Sequence, residues 1–453
     1  MTYIKNRDEI LSVGNSRLKK DMLNIIEEGL YDADPYIQTK KFVKLEGSIL
    51  KFDDLSFNLE EVGNVYVIGA GKATYPIGKA LNEILLDKIK DGIITCKHGH
   101  GEKLSNLRLY NGNHPVPDEN GIKSSKEMLK IAKKTKKNDL VIFCITGGST
   151  SLMPLPIDGI SLKDLIKTYD ILLKSSANVI EMNAVRKHLS KIKGGRLAES
   201  IHPGADIVNI TVSDVIGDKL DYITGPTVPD SSTLDDARAT LDKYRLWDKL
   251  PYSVRNFLKN AGEEFETPKY LSDHKIHNFM IVKGDAACEG SLRKAKELGY
   301  NSIILSSMFE GESKDIGAAF AAIGKEISEK NRPLNPPAVV IGGGETTMKI
   351  SGNAGRGGPN QQFALAAASY IDGYEDILIG AIDTDGIDGA SDLAGGIVDG
   401  NTMKQATKEN VDIFKHIENF DDTPALKKLK SGILTGHTGT NVNDLKILLV
   451  GKK

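Results

Sequence analysis

Short, unbroken apolar runs alternate along this chain with longer stretches whose apolar residues recur every three to four positions. The runs lie at 65–68, 92–96, 140–145, 207–212, 279–282, 302–305, 338–341, 377–382 and 445–450. A strand covered on both faces reads as such a continuous Val/Ile/Leu run, as in a parallel sheet. The stretches between them carry helical spacing, as in Leu18, Met22, Ile25, Ile26 and Leu30 of residues 16–31. Helices are expected near 16–31, 75–86, 119–134, 161–176, 183–201, 285–298, 312–330, 360–371, 401–409 and 424–430, with mostly helical residues over 234–264. Alternation of this kind predicts an α/β chain with mostly parallel sheets. The polar stretch 263–278 carries Pro268 and few apolar residues, so two domains are expected, 1–265 and 266–453.

Composition narrows the function more than the fold. The chain has 453 residues, 26% charged residues and a net charge of -2, which gives no basic field to hold nucleic acid. Its three cysteines, Cys96, Cys144 and Cys288, are far apart, and the first two sit in apolar runs. Neither a disulfide framework nor a zinc site is expected from them. His98 and His100 have no third ligand nearby and read as solvated loop residues. No apolar stretch reaches the ~20 residues that cross a bilayer, and residues 1–9 are too polar for a signal peptide. A cytoplasmic protein with a small-molecule substrate is expected, without nucleic-acid or membrane partners, as a monomer or small homo-oligomer.

Five glycine-rich segments carry the candidate chemistry, most of them beside an apolar run. Loops after parallel strands bind ligands, and glycine lets backbone N–H groups approach an anion. In Gly69-Ala70-Gly71-Lys72, an ammonium stands where a helix begins, and a helix N-terminus favours anions. Thr74 replaces the third glycine of a dinucleotide fingerprint, and Tyr66 and Ala73 break a P-loop. Gly147, Gly148 and Ser149 follow the next run and suit phosphate or carboxylate oxygens, or simply cap the next element. On a helix over 183–201, Arg186, Ser190 and Lys193 would share a face near Asn183, either as an anion site or as a solvated basic face. Glu345 and Asn360 flank the loop that holds Arg356, whose guanidinium can grip a carboxylate or phosphoryl group through two N–H bonds. Asp383, Asp385 and Asp388 alternate with glycine like the start of a cation loop, but Ala394 stands where an EF-hand needs glutamate. Asp385 and Asp388 are the expected Mg²⁺ ligands, with an acidic turn as the alternative.

Together these segments resemble the glycerate 2-kinase family whose C-terminal half is the MOFRL domain, a family also labelled hydroxypyruvate reductase. The resemblance covers residues 69–73, Asn113-His114-Pro115, 183–198, 213–218, 225–230, 342–347, 355–361, 384–389, 394–400 and 435–445. It implies a Rossmann-like N-terminal domain, a MOFRL-type C-terminal domain and an active site in the cleft. It implies transfer of the γ-phosphoryl group of ATP to the 2-hydroxyl of D-glycerate with Mg²⁺, giving 2-phosphoglycerate. Lys72 and Arg356 match positions the family uses for catalysis, and Asp214, just past a strand, is the candidate acceptor of the hydroxyl proton. The chain departs from the family at Pro359 and Gln362, where an arginine and a glutamate are usual, and at Thr224 and His437. Those departures keep another short sugar acid open as the acceptor. A nicotinamide-dependent reductase is the weaker alternative, since the fingerprint is missing.

Overall fold

The computed structural model describes residues 2–99, 101–213, 225–352 and 354–452. The chain divides into two units, residues 35–281 and residues 1–34 with 282–453.

The unit of residues 35–281 opens with an antiparallel meander, β1 (Val43–Glu46), β2 (Ile49–Phe52) and β3 (Leu55–Asn58). Its four-residue strands are too short to show a period in the sequence, which did not predict them. The main sheet holds β4 (Val65–Ala70), β5 (Ile89–Lys97), β6 (Arg108–Gly112), β7 (Leu140–Thr146), β8 (Asp206–Val212) and β9 (Lys275–Val282), in the order β6-β5-β4-β7-β8-β9. The pairings from β6 across to β8 are all parallel. Every residue of β4 and β7 is buried, which is why both read as continuous apolar runs. Ile68, Phe143, Ile145 and Ile207 pack with Met128 and Ile131 of the helix Glu119–Lys134. Taken along the chain, the order is third-second-first-fourth-fifth-sixth, the doubly wound arrangement. The order reverses between β4 and β7, and ligands of such sheets bind beyond the strand ends at that point.

The long helix expected over 183–201 is two pieces, Val179–His188 and Arg196–Glu199. The first piece stops at His188, before Ser190 bridges to Pro156, and the left-handed φ of Gly194 and Gly195, 60° and 84°, keep the second piece separate from it.

The second unit holds β10 (Asn301–Phe309), β11 (Ala338–Gly344), β12 (Ile377–Asp383), β13 (Gly395–Asp399), β14 (Gly432–Ile433) and β15 (Asp444–Val450), in the order β10-β11-β15-β12-β13-β14. Here the expectation of a mostly parallel sheet gives way to a mixed one. Only β10 and β11 pair in parallel, because β15 enters antiparallel between β11 and β12. An apolar run carries no direction, so the sequence could not show this. The consequence is functional geometry: the ends of β11 and β12 and the start of β15 meet at one edge.

The division also differs from the expected boundary at 265/266. Residues 275–281 of β9 extend the first sheet. The N-terminal helix Ser16–Asp32 packs on the helix Ala286–Glu297 of the second unit, where Ser291 Oγ donates to Ile25 O at 3.1 Å.

Candidate active site

In the unit of residues 35–281, the chain leaves β4 through Gly69, Ala70, Gly71 and Lys72 and enters the helix Thr74–Leu85. Its backbone is tied to the end of β7: Lys72 N donates to Gly147 O at 2.8 Å and Ala73 N to Thr146 Oγ1 at 3.1 Å. These bonds bring Gly69 and Gly71 beside Gly147, Gly148 and Ser149. Ser149 is buried and starts a helix of four residues, Ser149–Leu152. Gly148 has a left-handed φ of 84°, and a Cβ there would lie 2.9 Å from both His114 Cδ2 and Lys72 Cγ. Lys72 and His114 therefore flank one glycine at the point where the strand order reverses. Burial, then Lys72, then Lys97, push the His114 imidazole down to about 4, so it is neutral at physiological pH. Sequence reasoning placed His114 in a turn and in a family motif but did not single it out as a site residue.

Asn183 and Arg186 lie on the helix Val179–His188, and Arg186 Nη1 donates to Asn183 Oδ1 at 3.1 Å. The guanidinium also sits 5.1 Å from the centre of the Tyr169 ring. Lys193 lies beyond the helix end, so the shared helix face expected for Arg186, Ser190 and Lys193 does not exist. The charge of Arg186 nonetheless reaches Lys193 and, after burial, is the second cause pushing the lysine down to about 7. Lys193 Nζ donates to Met153 O at 2.9 Å, just past the helix that starts at Ser149. Asp214 lies outside the described residues.

In the second unit, Asp444 opens β15 opposite Gly344 on one side and Asp383 on the other. Asp444 Oδ2 accepts from Thr346 N at 3.0 Å, Thr346 Oγ1 at 3.1 Å and Lys446 Nζ at 2.6 Å. Its Oδ1 accepts from Asn360 Nδ2 at 2.7 Å. Asp385 N donates to Asp383 Oδ1 at 2.9 Å, and Ile387 N to Asp385 Oδ1 at 2.8 Å. Burial, Asp385 and Asp444 hold the Asp383 carboxyl well above the usual range. Sequence reasoning passed over Asp444, whose signal was a lone carboxylate at the start of an apolar run.

Three further expected site residues have these surroundings. Asp388 caps a helix: its oxygens accept from Asn360 N at 3.1 Å, Asn360 Nδ2 at 3.2 Å, Gln361 N at 2.8 Å and Gln361 Nε2 at 3.0 Å. With both oxygens so engaged, at the start of the helix Pro359–Tyr370, it has little left for a cation. Arg356 is exposed, and its guanidinium bonds Asp392 at 3.1 Å. Glu345 is exposed, with its backbone N–H on Phe309 O at 2.9 Å. Among the described residues, no three His, Cys, Asp or Glu side chains are grouped to hold a metal. Mg²⁺ is commonly held by only one or two carboxylates plus phosphate oxygens and water, and the crowded pair Asp383 and Asp385 fits that donor set.

Asp422, at the start of the helix Asp422–Lys428, has both carboxyl oxygens buried without a hydrogen-bond partner among the described residues. Burial, then Asp388, then Asp421, push its carboxyl up to about 8. An unfolded aspartate releases its proton near ~4. Between these values the fold holds a proton that the unfolded chain has lost, so this contribution is full at low pH and is lost as pH rises towards 8. Asp422→Asn stays neutral, so it should gain on the wild type by about 1.4 kcal/mol per pH unit across that window. Urea unfolding at pH 5, 6, 7 and 8 measures this; parallel stability curves for the two proteins would contradict it.

Residues 21–259 match a family described only as a domain of unknown function, DUF4147, and residues 338–444 match the MOFRL family. The chain is 42% identical to glycerate 2-kinase of Pyrococcus horikoshii over 95% of its own length and 97% of the relative's. It is 42% identical to D-glycerate 2-kinase of Thermotoga maritima over 85% of this chain and 90% of that one. The crystal structure of a Thermotoga maritima glycerate kinase superposes with a TM-score of 0.85 at 38% identity, covering 96% of this chain and all of the other. With matches of this length on both halves of the sequence, the chain belongs to the glycerate 2-kinase family that carries the MOFRL domain.

Proposed function

We propose that this protein transfers the γ-phosphoryl group of ATP to the 2-hydroxyl of D-glycerate, with Mg²⁺, and releases 2-phosphoglycerate. The observation that carries the reading is the near full-length likeness to relatives named glycerate 2-kinase and D-glycerate 2-kinase. The site chemistry agrees with it. Phosphoryl transfer asks a protein for positioning and charge neutralisation more than for covalent chemistry. Lys72 and the backbone at Gly71, Gly147 and Gly148 supply a cation and close-approach amides at the strand-order reversal. Asp383 and Asp385 would hold Mg²⁺, which neutralises phosphate charge when bound; Asp388 is committed to its helix. Arg356 reaches substrate in this reading only after leaving Asp392.

The test is incubation of the protein with ATP, Mg²⁺ and D-glycerate, with the product identified by phosphorus NMR. 2-Phosphoglycerate is expected; 3-phosphoglycerate, or no product, contradicts the reading. The departures at Pro359 and Gln362 favour one second reading, the same chemistry on another short hydroxy acid. Gln362 Oε1 is buried without a partner among the described residues. A panel of short hydroxy acids under the same assay separates the two. NADH oxidation with hydroxypyruvate is expected to be absent.

A further inference from the structure

We propose that Arg186 and Lys193 form a buried receptor for one planar oxyanion, the carboxylate of the short hydroxy acid that the protein phosphorylates. The inference deepens the kinase reading and rests on it only for the identity of the acid.

The other buried lysines of this protein are each paired with a carboxylate. Among the described residues, Lys19, Lys187, Lys193 and Lys446 have less than 4% of their surface exposed. Lys19 lies 3.5 Å from Asp399, Lys187 2.5 Å from Asp230 and Lys446 2.6 Å from Asp444. Among the described residues, Lys193 alone of the four has no carboxylate partner; its ammonium donates to the carbonyl of Met153. The neighbouring charge is a second cation. Arg186 uses one N–H on Asn183, and its Nε is buried without a partner among the described residues. A buried charge without a counter-charge costs several kcal/mol, and two such cations side by side repel as well. Burial and Arg186 accordingly depress Lys193, and burial depresses Arg186. One bound anion would remove both penalties.

The chemistry favours a carboxylate. The guanidinium lies over the Tyr169 ring, 5.1 Å from its centre, and a guanidinium fork matches a planar carboxylate through two parallel N–H bonds. The receptor is built of side chains, whereas the backbone-rich loops at Gly71 and Gly148 are the better match to phosphate. Lys193 also ties down Met153 by its carbonyl, a few residues past Gly148. A carboxylate here would therefore sit close to the loop that faces Lys72.

Calorimetric titration of the full-length protein tests this, with D-glycerate, glycerol and inorganic phosphate, each with and without saturating ADP. D-Glycerate should bind, and glycerol, which lacks the carboxylate, should not. Arg186→Met and Lys193→Met should each weaken D-glycerate binding by about 10- to 100-fold, the loss of a charged hydrogen bond, with ADP affinity within about twofold of the wild type. Lys191→Ala, at a surface lysine paired with Asp158, should change neither. Unaltered D-glycerate binding in both variants overturns the proposal. So does loss of ADP or phosphate binding in place of D-glycerate, which would make the pair a phosphate site. If either variant fails to fold, the glycerol comparison on the wild type and Arg186→Gln still decide, and equal binding of glycerol overturns it. The two readings fail separately. Phosphorylation of D-glycerate with an unchanged KM in Arg186→Met removes the receptor and keeps the kinase. Arg186-dependent binding of another hydroxy acid, with no phosphoglycerate formed, does the reverse.

Discussion

Lys72→Ala should lower turnover by about 100- to 1,000-fold, the usual cost of removing one preorganised donor to developing charge, while leaving the melting temperature unchanged. The side chain is half-buried at a helix start, beside glycines whose conformation does not depend on it, so the fold has little to lose. Its charge stands where the sheet order reverses, with His114 across Gly148 held neutral in part by that same charge. The variant should therefore show a second change. With the neighbouring cation gone, the His114 imidazole should rise from about 4 towards its ordinary value, although burial and Lys97 remain. Proton NMR of the imidazole reads this independently of activity. Lys72→Arg should recover only part of the rate, since a forked guanidinium does not occupy the same point as an ammonium. Turnover within fivefold of the wild type in Lys72→Ala would remove the lysine from the chemistry.

The parts of this site that could be read from sequence are those set by local rules. β4 and β7 announced themselves as unbroken apolar runs because both faces are covered, and the glycines after them marked the loops. Lys72, Gly148 and Ser149 followed from position alone. What could not be read depends on partners distant in sequence. The helix Ser16–Asp32 shows its apolar stripe, but nothing in it tells that the matching surface begins at Ala286. β15 shows its burial but not its direction, and so the meeting of Asp444 with Asp383 stayed hidden. Arg186 and Lys193 were expected on one helix face, but the helix stops at His188 and Lys193 lies in the turn beyond it, where the charge of Arg186 still reaches it. Asp388 shows the opposite failure. A carboxylate in an acidic, glycine-rich loop suits a metal, and only the tertiary structure shows that its oxygens are filled by Asn360 and Gln361.

That last distinction can be measured, because a cap and a ligand fail in different ways. Asp388→Leu removes the acceptor of two backbone N–H groups and two side-chain amides in a buried place. Asn360 Nδ2 and Gln361 Nε2 keep their bonds to Asp444 Oδ1 and to the backbone oxygen of residue 388, so two backbone donors are orphaned at about 1–3 kcal/mol each and a loss of about 2–6 kcal/mol is expected. Part of the cost is returned, since burial already pushes the Asp388 carboxyl up to about 6 and the charged form is itself disfavoured. Asp388→Asn keeps an acceptor oxygen without the charge and should be much milder than leucine. Asp385 gives the complementary result. Its Oδ1 accepts only a local turn bond from Ile387, which the amide oxygen of asparagine can also accept. Asp385→Asn should therefore melt with the wild type yet need at least about tenfold more Mg²⁺ for half-maximal rate, the scale on which disturbed metal surroundings lose affinity. Thermal melts and Mg²⁺ titrations of the three variants separate the roles. A stable Asp388→Leu with a raised Mg²⁺ requirement, beside an Asp385→Asn of ordinary requirement, would exchange the two assignments and make the helix cap incidental.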